Sequence, residues 1–249
     1  MRVLEIARFP RSLTASLMLR RTAATVLFAL AGAALAPAQS PTGGLYGKID
    51  GEYYVAPGAA YRYPIPVMPK LGGRVEDTEG VVTFDDPLGL HLSIASFPLD
   101  LSQKWEWETR GAKDYLGYFH ANFILPDFQR RYPGSADEAS VFVPELYGGT
   151  LIVFTLLPGG SFFTEQSSVL GTPVTPGPIV AKRGTLLFVR EARIFIMSLE
   201  LAERVTQRST FKKTPEEENA LLRDRILTYA RRFEFPQRKP ATPPAPRVP

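Results

Sequence analysis

"KRGTLLFVREARIFIMSLELAE", residues 182–203, holds two apolar runs on either side of one polar step. "TLLFVR" and "RIFIMSLELA" bracket Glu191-Ala192, which predicts an antiparallel hairpin over 179–190 and 192–203. Upstream, Leu151-Ile152-Val153-Phe154-Thr155-Leu156-Leu157 is apolar without alternation, as suits a strand covered on both faces. Ser140 to Val143 is also β-rich. A second hairpin is predicted in "GVVTFDDPLGLHLSIASFPL", 80–99. There Val81 to Phe84 meets the turn Asp85-Asp86-Pro87-Leu88-Gly89, and Leu90, Leu92, Ile94 and Ser96 alternate with His91, Ser93, Ala95 and Phe97. "GEYYVAPGAAYRYPIP", 51–66, predicts two short strands around Pro57-Gly58, with Tyr61 and Tyr63 on one face.

Helical patterns occupy two places. Ser102 is a candidate cap for a segment carrying Trp105 and Trp107, and Tyr115, Leu116, Phe119 and Phe123 continue with helical spacing. Gly111 is expected to split this segment, and Pro126 to end it. The second helix starts at Thr214-Pro215-Glu216-Glu217, a cap, a first-turn proline and a capping-box glutamate. Leu222, Ile226, Tyr229 and Phe233 then share a face. Clustered strands with segregated helices define an α+β class: a mostly antiparallel central sheet with packed helices, in a single domain over 51–235.

The N-terminus reads as an address label. Arg20 and Arg21 precede fourteen uncharged residues, Ala23 to Ala36, and Ala36-Pro37-Ala38 has the small-x-small form that signal peptidase cleaves. Fourteen is short of the roughly 17–25 residues of a spanning helix. Residues 1–38 are therefore expected to be a signal peptide cut after Ala38, with no stable membrane span afterwards. An uncleaved anchor is the alternative. Met18 could serve as the start as well as Met1. Thr22-Ala23-Ala24 follows the arginine pair, which favours the general secretory route over the twin-arginine one. Residues 39–50 are expected to form a linker. The tail 236–249, with six prolines in fourteen residues, is expected to be disordered or polyproline-like.

Removing the leader changes the charge argument. Residues 39–249 hold 24 basic and 24 acidic side chains, and 39–235 has 21 against 24. The basicity belongs to the leader and the tail, so it makes no case for nucleic acid. The chain has no cysteine. That excludes disulfides, thiolate metal sites and a cysteine nucleophile. A periplasmic or secreted location is expected.

The motif census is mostly negative. No phosphate-binding glycine loop and no nucleophile elbow occurs. His91 and His120 read as unrelated histidines rather than half of a zinc site, so no metal and no cofactor is expected. Asp85 and Asp86 are neighbours that would face opposite ways in a strand, and the turn reading fits them better than acid–base catalysis. Glu106 and Glu108 in "KWEWE" are either acids beside an aromatic cleft or solvated residues next to packing tryptophans. Tyr53, Tyr54, Tyr61 and Tyr63 either line a carbohydrate or ligand surface or are half-buried strand residues with hydrated hydroxyls. The stretch 158–178, with four Gly and four Pro in 21 residues, predicts a long loop of the kind that is often functional. Its Phe162 and Phe163 either dock a partner from a loop tip or tuck back into the core. The candidate binding residues are thus Phe162, Phe163, Trp105 and Trp107, with no catalytic residue assigned.

The order of these segments resembles the PsbP-like α/β sandwich family, whose namesake is the extrinsic protein of photosystem II. The likeness runs through "GVVTFDDPLGLHLSIASFPLDL", a helix, "GGTLIVFTLLPGG", "KRGTLLFVREARIFIMSLELAE" and the helix ending "RDRILTYARRFEF". It covers most of 51–235 as a pattern. The Trp-rich start of that family is absent, with Tyr63-Pro64 in its place, and no metal or photosystem contact maps onto a residue here. The resemblance implies a non-catalytic binding or assembly module. The expected function is therefore an exported, non-enzymatic binding or assembly protein whose partner is another envelope protein or a small ligand. The alternatives are a periplasmic hydrolase with carboxylates near Trp105 and Trp107, and an anchored structural protein.

Overall fold

The computed structural model describes residues 45–163 and 179–236. The leader, the loop from 164 and the proline-rich tail, all of which carried sequence expectations, lie outside the described residues. The 182–203 stretch forms β9 (Val180–Arg190) and β10 (Arg193–Glu200), paired antiparallel from Arg190↔Arg193 to Arg183↔Glu200. Glu191 and Ala192 make the turn, both at positive φ (50° and 54°). A two-residue turn of that hand follows the sheet's own twist, which is why two non-glycine residues are held there.

Around this hairpin a seven-stranded sheet is built in the order β4-β5-β6-β10-β9-β8-β7, antiparallel throughout. Its remaining strands are β4 (Arg74–Asp77), β5 (Val81–Asp85), β6 (His91–Pro98), β7 (Ala136–Val143) and β8 (Thr150–Pro158). A separate three-stranded sheet comprises β1 (Lys48–Asp50), β2 (Tyr53–Val55) and β3 (Arg62–Pro64). Strand β1 lies within the span expected as linker. It is exposed throughout, so it carries no apolar alternation to announce it.

Each face of the large sheet has its own core. On one face Val82, Phe84, Leu92, Ile94, Leu186, Phe188, Phe195 and Met197 pack with Tyr54 and Tyr63 of the small sheet and with Tyr61 just before β3. Leu222 and Ile226 of α5 (Pro215–Ala230) complete that core, and α4 (Glu203–Thr206) precedes this helix. On the other face Val81, Ala95, Leu151, Leu187 and Ile196 pack against α1 (Leu101–Arg110), α2 (Ala112–Phe119) and α3 (Leu125–Arg131) through Trp107, Tyr115, Leu116, Phe119 and Phe128. The fold is therefore α+β with a mostly antiparallel central sheet.

Two helix boundaries differ from the sequence expectation. The cap of α1 is Asp100, not Ser102: its carboxylate accepts from the Gln103 N–H while the Gln103 side chain accepts from the Asp100 N–H. Pro126 does not end the second helical pattern. A π turn at His120–Ile124 widens the helix before it, and Pro126 then sits in the first turn of α3, where its missing N–H costs nothing. Gly111 does split α1 from α2, at φ 76°. Thr214, Pro215 and Glu217 start α5 as the sequence predicts.

Candidate functional site

Residues directly opposite in adjacent antiparallel strands face the same side. That rule assembles a polar row from strands far apart in sequence. Asp85 pairs with His91, Glu200 with Arg183, Arg183 with Thr155, and Thr155 with Asp137. Leu199 opposes Leu92, so the next position places Glu200 beside His91. The row crosses six strands on the face covered by α1–α3. His91, Glu200, Arg183 and Thr155 are all buried.

Each carboxylate of the row has a partner within it. Asp85 bonds His91 Nδ1. Glu200 lies 3.6 Å from the Arg183 guanidinium, whose Nη2 also donates to Gly160 O at 3.1 Å. Burial lowers the Arg183 pKa from its ordinary value, and Glu200 opposes that shift. Asp137 accepts from Thr155 Oγ1 at 2.8 Å and lies 3.4 Å from His120 Nδ1 in the π turn. Burial lowers the His120 pKa, again against the pull of the carboxylate.

The start of the 158–178 stretch straps this row. Ser161 Oγ donates to Glu200 at 2.6 Å and the Phe162 N–H donates to its other oxygen at 3.1 Å. The Phe162 ring stacks on His91 with centroids 3.5 Å apart, and the Arg183 guanidinium stands 4.3 Å from the same ring. Phe163 is buried with Ala202 and Val205. The loop-tip docking reading of these two phenylalanines is thus corrected to the inward one: charged partners on the sheet hold the backbone down and carry the rings with it.

The two tryptophans separate. Trp107 is half-buried with its ring edge-on to Tyr115, while Trp105 is 62% exposed, one turn from the still barer Leu101. Glu106 pairs with Arg110 along the helix, and Glu108 is exposed, so no carboxylate pair converges beside the tryptophans. Among the tyrosines, Tyr54 donates to Asp77 and Tyr63 to the Tyr229 carbonyl, each with its ring in the core. Asp86 Oδ1 accepts from the Leu88 and Leu90 N–H groups, the turn chemistry expected of it. No group of three or more metal-ligating side chains occurs among the described residues.

A cleft of about 480 Å³ opens between the β5–β6 turn and α5, with Asp86, Leu88, Leu221, Arg225, Tyr229 and Arg232 in its walls. Leu88 is 75% exposed at its lip. The turn beside it, Met68 to Gly72, approaches Pro87 and carries the exposed Met68 and Leu71. Sequence reasoning missed both this cleft and the Arg183–Glu200 pair. The signal for the pair was present as charges embedded in apolar strands, "AKRG" and "SLEL".

No protein-family model matches the chain, and no curated protein is similar to it in sequence. The structure is similar to the solution structure of cyanobacterial PsbP from Synechocystis sp. PCC 6803, at 13% identity and a TM-score of 0.46, over 79% of this chain and 100% of that one. It is also similar to a crystal structure from Bacteroides thetaiotaomicron (11% identity, TM-score 0.35, 76% of this chain and 50% of that one). The Ran-binding protein Mog1p of Saccharomyces cerevisiae is a further neighbour (11% identity, TM-score 0.38, 72% of this chain and 91% of that one).

Proposed function

We propose that the protein is an exported, non-enzymatic binding or assembly module, and that another envelope protein docks at the cleft between the β5–β6 turn and α5. One observation carries the reading: Leu88 is 75% exposed at the lip of that cleft, with Met68 and Leu71 bare beside it. A cluster of exposed apolar side chains next to a concavity is the usual form of a docking surface. Titratable groups with the geometry of a reaction centre would favour an enzyme instead, but the charged row is paired within itself and strapped by residues 160–163. No helix among the described residues is long and apolar enough to cross a membrane.

A photo-crosslinking residue at Leu88, introduced into the full chain in cells, tests the docking surface. A discrete adduct at Leu88, absent from the same residue placed at Glu108, is expected. Recovery of the same partners by the Leu88→Asp variant would overturn it. Export rests on the pattern of residues 1–38. Mass spectrometry of the mature N-terminus should find Gln39 first; a chain retaining residues 1–38 would support the anchored alternative.

A further inference from the structure

The charged row borders further buried polar groups on the same sheet face. Next to the charged row, two residues along each strand, Ser198 stands opposite both Ser93 and Thr185. The hydroxyls of all three are buried without a hydrogen-bond partner among the described residues, as is Arg183 Nε. Four unpartnered polar groups on neighbouring positions of one sheet face are costly, because each has given up water without replacement. A buried site of this kind holds ordered water or a polar ligand.

The adjoining slot has a definite shape and chemistry. His91 and Arg183 stand on the strands either side of β10, and the Phe162 ring bridges them as a flat π surface. Between them Glu200 accepts an N–H and an O–H from the strap. A ligand taking Phe162's place would need a planar ring for the two walls and a donor for Glu200. Further polar atoms on the ring would serve Arg183 Nε and the three hydroxyls. Asp85 and Glu200 flank the slot and repel a phosphate or carboxylate, while Arg183 repels a cation. A phenyl ring meets the first requirement only.

We propose that this slot binds a neutral, planar nitrogen heterocycle of the nucleobase type, with Phe162 as its occupant when no ligand is present. The strap that must yield follows Gly159, at φ 72°, whose N–H donates to the Ile179 carbonyl at 2.7 Å. Glu200 also lines the cleft at Leu88, so the two sites adjoin, but the tests read different residues, Phe162 here and Leu88 there.

Isothermal titration of the mature chain with adenine, with toluene as an apolar control, tests the proposal. Adenine should bind the wild type. Phe162→Ala, which removes the competing ring, should bind it about tenfold more tightly, since a self-occupied site lowers apparent affinity by its free fraction. Adding Glu200→Gln should reverse that gain. Toluene binding Phe162→Ala as tightly as adenine, with Glu200→Gln without effect, would mean an adventitious cavity and overturn the proposal. If Phe162→Ala does not fold, the wild type decides alone. Adenine should then shift the His91 imidazole resonances as the stacked phenyl ring leaves, and unchanged resonances would overturn the proposal.

Discussion

Lys182 and Arg183 are adjacent on β9, so they project onto opposite faces of the large sheet. Both are buried. Lys182 is fully engaged: Glu138 from β7 and Glu218 from α5 pair with it, the Pro215 carbonyl accepts from it at 3.2 Å, and Arg204 holds Glu218 from the other side. Its cluster ties the first turn of α5 to the sheet. Arg183 has one carboxylate at 3.6 Å, a carbonyl and a phenyl ring, and keeps one N–H unpartnered. The difference shows how one strand can place a structural clamp and a candidate site one residue apart. A satisfied buried charge is a fixture, whereas an incompletely satisfied one marks a place where something else can bind.

The largest expected effect separates the two directly. Lys182→Met should destabilise by about 3–5 kcal/mol, because it leaves the buried Glu218 with less positive charge and removes the partner of Glu138. Arg183→Met also leaves a buried carboxylate without its cation, but Glu200 keeps the Ser161 and Phe162 donors, so the cost should be smaller, about 2–3 kcal/mol. Urea unfolding of the two variants measures this. Equal losses would erase the contrast.

A smaller effect concerns pH. His91 and His120, the two histidines of the sequence, both belong to the Arg183 face. Burial holds the His120 pKa below its ordinary 6.5. As pH falls below about 6.5 the unfolded chain takes up a proton that the folded chain does not, so folding weakens, by at most about 1.4 kcal/mol per pH unit for one group. Stability is retained above that pH. Unfolding at pH 7.5 and 5.5 should show a loss on acidification that His120→Phe reduces. An unchanged loss would remove His120 from the account.

The smallest expected effect lies on the Lys182 side. Thr214→Ala removes the cap of α5 and should cost about 1 kcal/mol. Combined with Lys182→Met it should cost less than the sum, because both changes loosen the same helix start. Strict additivity, read from the same urea curves, would mean that the cap and the clamp act independently.

What the sequence determined by itself is what depends on near neighbours along the chain. The Thr214 capping box, the break at Gly111, the Asp86 turn and the 182–203 hairpin were all legible, since each is set by a few adjacent residues. The π turn that carries the helix past Pro126 was not legible, whereas the Asp100–Gln103 capping box is itself a local signal that the choice of Ser102 overlooked. The row from Asp85 to Asp137 was not legible either, since its members come from six strands and meet only through register. Tertiary structure alone turned Phe162 and Phe163 inward, left Trp105 bare and opened the cleft beside Leu88. Burial and pairing are properties of what the folded sheet brings opposite a residue, and no local pattern specifies that partner.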